Sequence, residues 1–438
     1  MRLVVIGGVA AGLSAASSAR RRDPSLDITV LEKGEDISYS ACGLPYFIGG
    51  EVPRAGELMV YTAEFFRRER NISVLTAHEA RAIRPARRDV IVGEGNRFPY
   101  DRLVIATGAR SRRPPIPGID LPHVVCANTL AEARALQEHL ASQRPARAAV
   151  IGAGYIGLEM TEALRKRGLE VRLIEASGQV LGREEPHLIL AVQEELARHG
   201  VTWMRETQVS AIEPGRICTS AGEFPCELVV LAAGLCPSVE LAAEAGIQIG
   251  PTGAIHIDDR MQTNLAGIYA AGDCAETVHL VSGSPVWLPL GTTANKMGRV
   301  AGENASGGRA RFPGIVGTSV VKVFTLEIGM TGLGGTAARR AGIAAVSAEI
   351  RAPSRAKYLG GQAISVELTA DRQSGRLLGG LMFGAEGVAK RIDVVATALH
   401  ARLRARELID LDLSYAPPFA PVWDPVLIAA RRLARLLD

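Results

Sequence analysis

Six cysteines are spread over the 438 residues, and no two of them form a Cys-x-x-Cys pair. Cys42 lies in the stretch SYSACGLPY, with no second cysteine within thirty residues on either side. The thiolate is the reactive form of cysteine, so the chemistry of such a residue depends on what lowers its pKa. Gly43 and Pro45 fit a tight turn opening a helix. The amides at that helix start are expected to draw the thiol below its ordinary value of about 8.5. Cys126, Cys218, Cys226, Cys236 and Cys274 read as inert core cysteines, and taken alone Cys42 admits the same reading.

Two glycine-rich segments supply a second chemistry. Gly7, Gly8 and Gly12 follow the apolar run RLVVI, and Glu32 stands 25 residues after Gly7. Gly152, Gly154 and Gly157 make an intact G-x-G-x-x-G after a strand-like run, and Glu175 stands 23 residues after Gly152. Small residues at a strand-to-helix turn let the backbone approach a pyrophosphate, which the helix N-terminus stabilises. A carboxylate at the end of the next strand accepts from ribose hydroxyls. In the first segment Val9 occupies the usual second glycine position, so a tight turn with a surface glutamate is the competing reading there. In the second, residues 176–178 (ASG) offer no cation for a 2′-phosphate, although Arg183 lies a little further on. NADH is therefore expected over NADPH. Glu159 either faces the nicotinamide region or is an ordinary acid near a helix start. In AAGD, Gly272 and Asp273 can set an amide and a carboxylate against a cofactor phosphate or ribityl oxygen.

The elements that must position these residues repeat. Residues 2–6, 14–22 and 27–31 read as strand, helix and strand; residues 148–151, 158–167 and 171–174 read the same way. A duplicated mononucleotide fold is the economical account. LVIATGARSRRPPIPG (103–118) and ELVVLAAGLCPS (227–238) are similar segments, the first ending in a Pro-rich crossing between domains. From residue 321 the character changes to β-rich stretches such as AISVELTA, followed by a helix near 388–404. The tail APPFAPVWDPVLIAARRLARLLD holds an amphipathic helix that covers either a partner subunit or its own core. The expected class is α/β: two Rossmann-like dinucleotide-binding domains plus a C-terminal α+β domain.

With 50 basic and 46 acidic residues the net charge is +4, which argues little about partners. Arg20-Arg21-Arg22 and Arg112-Arg113 read as solvated surface, the first alternatively as a seat for a phosphate-bearing ligand. No nucleic-acid motif stands out, so no nucleic-acid partner is expected. No 18-residue run is free of polar breaks, so no membrane span is expected. The chain opens on MRLVVIGG, already a strand, and the cytoplasm is the expected compartment. No metal site is expected.

VIGGVAAG with Glu32, SYSACGLPY, ATGARSRRPPIPG, VIGAGYIGLE, IYAAGDCAE and LPLGTTANKMGR together resemble one family over nearly the whole length. It is the single-cysteine branch of the pyridine nucleotide–disulfide oxidoreductases, which holds coenzyme A-disulfide reductases, NADH oxidases, NADH peroxidases and persulfide reductases. The resemblance is strongest to the coenzyme A-disulfide reductases. It implies an FAD-binding domain over 1–117 and 246–320, an NAD(P)H-binding domain over 118–245, and a dimerisation domain over 321–438. It adds Lys33, Thr107 and Gly108 to the cofactor-binding set of Gly7, Gly8, Gly12, Glu32, Gly152, Gly154, Gly157, Glu159, Glu175, Gly272 and Asp273. It makes Cys42 the redox cysteine. Tyr358 and Tyr415 become the paired tyrosines that reach it from the other subunit of a homodimer. Ser14, Ser18, Arg21, Ser38, Arg70 and Asn295 fall at positions resembling a coenzyme A site. Ala41 departs from the pattern, standing where close relatives often carry Asn. Val9 stands near the place where oxidases and peroxidases carry a histidine, which counts against peroxide chemistry.

The implied activity is FAD-dependent reduction of coenzyme A disulfide to two thiols by NADH, or else NADPH, through a Cys42–S–S–coenzyme A mixed disulfide. Other readings are a coenzyme A persulfide or polysulfide reductase, a water-forming NADH oxidase, and a redox-sensing flavoprotein without turnover.

Overall fold

The computed structural model describes residues 1–437. The chain divides into two compact units, 1–177 with 204–278 and 285–314, and 178–203 with 279–284 and everything from Ile315 onward.

The first unit contains the duplication. Its first sheet runs Ile268–Ala270, Arg102–Ile105, Arg2–Ile6, Asp27–Leu31, Ser73–Leu75, all parallel. The second places Arg147–Ile151 between Glu170–Ile174 and Leu228–Leu231, also parallel, with Val124–Val125 outside Leu228–Leu231. The central strands read as near-continuous apolar runs because parallel sheets are covered on both faces; Leu3, Val5, Val150 and Leu173 are wholly buried. Register repeats too: Arg2 pairs Asp27 as Arg147 pairs Glu170. Each half also carries a three-stranded antiparallel meander, at Ala80–Arg84, Asp89–Val92, Asn96–Pro99 and at Val209–Glu213, Arg216–Thr219, Gly222–Pro225. Both meanders are irregular at the same point, between Ala80 and Ala82 and between Val209 and Ala211. The two similar segments of the sequence pair with each other, Ala109–Ser111 against Leu235–Pro237.

The helices after the glycine turns span Ala10–Arg22 and Tyr155–Lys166. Each begins earlier than the sequence suggested, because the last motif glycine sits inside the first helical turns. Ala10–Arg22 packs on Gly291–Ala305 with almost no space between backbones. A Cβ on Gly298 would stand 2.2 Å from Ala11 O, and one on Gly302 2.0 Å from Ala15 O.

The second unit is built on an antiparallel sheet ordered Ser319–Val323, Leu326–Gly332, Leu377–Gly384, Ala363–Asp371, Ala345–Pro353. Val388–His400 and Pro425–Arg435 close its core with Ile364, Val366, Leu368, Met382, Ile392 and Val395. The tail helix starts at Asp424, whose carboxylate accepts from Val426 N at 2.9 Å. Its apolar face (Val426, Ala429, Ala430, Leu433) fills the core of its own unit. Asp438, the last residue of that tail, lies outside the described residues.

Candidate active site

Four glycines of the two turns, Gly7, Gly12, Gly152 and Gly157, are required by close backbone contact. Gly7 and Gly152 each adopt φ +110°, and their amides bond Leu31 O and Ile174 O, both at 2.8 Å. A Cβ on Gly12 would lie 1.9 Å from Gly7 O; one on Gly157 would lie 1.8 Å from Gly152 O. A Cβ on Gly154 would meet nothing within 4 Å, so that turn leaves room for a close-lying ligand. Neither Val9 nor Gly154, the residues preceding the two helices, offers a side-chain cap. The first-turn N–H groups are left for an anion.

The two glutamates behave alike. Glu32 Oε2 accepts from Gly8 N at 2.6 Å and Oε1 from Gly34 N at 2.8 Å. Glu175 Oε2 accepts from Ala153 N, and Oε1 from Ser177 N and Oγ, all at 2.8 Å. Each carboxylate therefore braces its glycine turn and keeps lone pairs for a ribose diol. Lys33 is exposed beside Glu32. Ser38 takes φ +50° and its amide bonds Gly8 O at 3.0 Å, linking the turn to the segment that leads to Cys42. Thr107 Oγ1 donates to Ser238 O at 2.7 Å, and Gly108, at φ +69°, borders open space.

Gly272 lies against the first helix, where a Cβ would stand 2.7 Å from that of Ala11. The Asp273 carboxyl is pushed up to about 6 by burial. It has no hydrogen-bond partner among the described residues. A carboxylate desolvated without a donor fits a hydroxyl-bearing cofactor that would supply one. The residues present thus fit both dinucleotides.

Cys42 sits in the short turn Ala41–Gly43 that leads into Leu44–Gly49. Among the described residues it alone of the six cysteines is exposed; Cys126, Cys226 and Cys274 are buried. Burial pushes the Cys226 thiol up to about 11. The Cys42 thiol is also pushed up, and the expectation that helix amides lower it is reversed. Although the residue is exposed, the protein around the sulfur still desolvates its thiolate, and the Glu159 and Asp273 carboxylates oppose it further. A six-residue helix has too small a dipole to outweigh them. The charge of Glu159 thereby bears on both the thiol and the Tyr46 hydroxyl, whose pKa burial and Glu159 also raise.

Four of the six residues matched to a coenzyme A site fall on the packed helix pair. Ser14 Oγ donates to Asn295 Oδ1 at 2.6 Å. Ser18 and Arg21 line a cavity of about 360 Å³ with Arg22, Arg299 and Glu303. Arg70 donates to Ser17 Oγ at 2.8 Å and lies 5.2–5.3 Å from the rings of Tyr61, Phe65 and Phe66. Arg22 belongs to the basic run read alternatively as a phosphate seat, whereas Ser17, Arg299 and Glu303 were not singled out from the sequence. The available signal was the four-residue spacing of Asn295, Arg299 and Glu303 along one helix face. Arg20 of the basic run is spent on Pro24 O and Asn71 O, both at 2.6 Å.

Tyr358 (79% exposed) and Tyr415 (52%) lie on the surface of the second unit, their loops joined by Ala356 N to Pro417 O at 3.3 Å. Phe419, Val422 and Trp423 are exposed there too.

Residues 1–298 match the family of pyridine nucleotide-disulphide oxidoreductases, and residues 318–425 match its dimerisation domain. The chain belongs to this family. Members depend on FAD and NAD(P)H, and the chain is an oxidoreductase with two dinucleotide-binding domains and a dimerisation domain. It is 39% identical over 437 residues to an NAD(P)H sulfur oxidoreductase (CoA-dependent) of Pyrococcus abyssi, covering 98% of each chain. To a coenzyme A disulfide reductase of Staphylococcus haemolyticus it is 27% identical over 427 residues, covering 96% of each. The structure of an NAD-dependent persulfide reductase from A. fulgidus superposes with a TM-score of 0.96 at 41% identity, covering 98% of this chain and 82% of that one. No described helix is long and apolar enough to cross a membrane.

Proposed function

We propose that the chain reduces coenzyme A-linked sulfur with NAD(P)H, NADH preferred, through Cys42. The observation that carries this reading is the solitary exposed thiol in a two-dinucleotide scaffold. With no second cysteine beside it, the exchange partner has to come from the substrate. The helix pair carrying Ser14, Ser18, Arg21 and Asn295, with guanidinium groups at one end, suits a long phosphate-bearing thiol.

Coenzyme A persulfide is the first acceptor we propose, because the relative named for CoA-dependent sulfur reduction shares 39% identity against 27% for the disulfide reductase. The Cys42 thiolate attacks the outer sulfur, the S–S bond breaks, and coenzyme A leaves as its thiol. Two electrons and a proton then release that sulfur as hydrosulfide and restore the Cys42 thiolate. The balance is NADH + H⁺ + CoA-SSH giving NAD⁺ + CoA-SH + H₂S. Coenzyme A disulfide, the first choice from sequence, is the second acceptor. Cys42 attack then gives the Cys42–S–S–coenzyme A mixed disulfide and one free thiol, and two electrons release the other. FAD, when bound, supplies the two-electron path between NAD(P)H and sulfur. The exposed Tyr358 and Tyr415 hydroxyls, contributed by the second copy of a homodimer, donate to the departing thiolate. Glu175 accepts from the free diol of NADH, and Arg183, eight residues further along the chain, is engaged by Glu185 at 2.6 Å.

The test is anaerobic NADH consumption by the FAD-loaded protein with coenzyme A persulfide, coenzyme A disulfide or polysulfide as sole acceptor. Fast turnover with hydrogen sulfide release, abolished in Cys42→Ser while NADH still bleaches the flavin, supports persulfide reduction. Turnover on the disulfide alone moves the activity to disulfide reduction. Turnover with oxygen only sinks both. A clear NADPH preference in kcat/KM removes the role given to Glu175.

A further inference from the structure

The helix that begins just after Cys42 is finished by side chains from elsewhere in the chain. Leu44–Gly49 ends on Gly50 at φ +87°, and Tyr46 O is bonded by Glu51 N and Val52 N at 2.9 and 3.1 Å. Phe47 O accepts from Gln137 Nε2 at 2.6 Å, and Ile48 O from Arg167 Nε at 2.7 Å. Arg167 Nη2 donates to Gln137 Oε1 at 2.8 Å, so the two are one unit. Gln137 lies on Leu130–Gln143, and Arg167 closes Tyr155–Lys166, the helix that starts at the second glycine turn and carries Glu159. Lys166 bridges Glu162 at 2.7 Å and Glu51 just beyond the short helix.

We infer that Arg167 and Gln137 are positioning residues that hold the Cys42 helix in register with the Tyr155–Lys166 helix, fixing Cys42 relative to Glu159. A six-residue helix is too short to hold its own geometry, so the side chains that bind its last carbonyls, alongside the Gly50 N bond to Phe47 O at 3.2 Å and its buried Leu44, Phe47 and Ile48, help to set its position. The guanidinium also meets the negative end of the helix, where a cation is favourable. Glu159 and Arg167 belong to the same helix, so moving the Cys42 helix off the clamp also moves the thiol relative to that carboxylate. This inference rests on Cys42 being the reactive thiol of the proposed function. It does not depend on which acceptor is used.

The test is the pH profile of Cys42 alkylation by iodoacetamide in the FAD-loaded enzyme, wild type against Arg167→Ala, Arg167→Lys and Gln137→Ala. Cys42→Ser gives the background. Release of the clamp is expected to move the profile to lower pH, with alkylation at pH 7 several-fold faster in Arg167→Ala. kcat is expected to fall about tenfold at unchanged KM for NADH. Arg167→Lys, which keeps a cation but cannot bridge to Gln137, is expected to fall between. If Arg167→Ala fails to retain FAD, Gln137→Ala decides, since it removes only the Phe47 bond and the bridge. Profiles that superpose on wild type overturn the inference. Loss of label in wild type would instead sink the assignment of Cys42 as the reactive thiol.

Discussion

Ser14 and Asn295 stand 281 positions apart, yet Ser14 Oγ donates to Asn295 Oδ1 at 2.6 Å. The bond bridges the helix of the first glycine turn and the helix that packs against it, and Asn295 Nδ2 is held in turn by Gly291 O at 2.9 Å.

If this pair orders one wall of the coenzyme A site, each residue loses its effect once the other is gone. Ser14→Ala and Asn295→Ala are each expected to raise KM for the coenzyme A acceptor about fivefold, equivalent to about 1 kcal/mol. The double variant is expected to match the singles rather than their product. Steady-state kinetics of the four proteins check this, and additive effects would show the two acting separately.

The helix contact behind that pair tolerates no side chain. Gly302→Ala places a methyl 2.0 Å from Ala15 O and has to separate the helices. It is expected to destabilise the protein by about 1–3 kcal/mol, read as a lower urea midpoint at unchanged m. Gly283→Ala, where nothing lies within 4 Å but φ is +71°, serves as a control for conformational strain alone.

Asp273 makes the flavin-free protein sensitive to pH. Its carboxyl titrates near 6 in the fold against an ordinary 3.8, so between those values the folded state holds the proton more tightly than the unfolded chain. Stability is therefore lost as pH rises through that window, and the penalty is complete above about 6. Asp273→Asn is expected to raise the melting temperature of the flavin-free protein at pH 7.5 and to leave it unchanged near pH 4. The same change is expected to weaken FAD binding, measured by flavin release on dilution. A variant that binds FAD as tightly as wild type would remove Asp273 from the cofactor site.

In the second unit, Glu349 and Glu367 face each other directly across the ladder, with His187 Nδ1 3.4 Å from one and Nε2 3.3 Å from the other. The Glu367 carboxylate beside Nε2 raises the His187 pKa, against the cost of burial, and the charges of Glu349 and Glu185 raise it further. A raised imidazole stabilises fully below its ordinary value near 6.5 and loses that contribution as pH rises through the folded value. Thermal melts from pH 5.5 to 8.5 are expected to show this decline in wild type and a flatter curve in His187→Gln. Parallel curves would show that the imidazole carries no charge there.

Much of this was legible in the sequence, because glycine turns and strand-end carboxylates impose local geometry that survives in any surroundings. Glu32 and Glu175 sit at the turns that their spacing implied, and the strand in AISVELTA extends over Ala363–Asp371. The behaviour of Cys42 was not legible. Its thiol is pushed up first by desolvation and then by Glu159 and Asp273, which are 117 and 231 positions away, none of which local pattern reveals. The Arg167–Gln137 bridge escaped for the same reason: Arg167 reads as an ordinary basic residue at the end of a helix until its bond to Ile48 O, and that of Gln137 to Phe47 O, are seen.

The brace between Glu175 and its turn bears on any attempt to retune coenzyme choice. Position 175 is the obvious one to replace with a small or basic residue so that a 2′-phosphate fits. The replacement would also strip the acceptor from Ala153 N and from both Ser177 donors, at the moment when the pyrophosphate turn must stay rigid. If the chain prefers NADH as proposed, a switch to NADPH calls for a second substitution that re-anchors residues 153 and 177, and libraries varying position 175 alone are expected to weaken NADH use without improving use of NADPH.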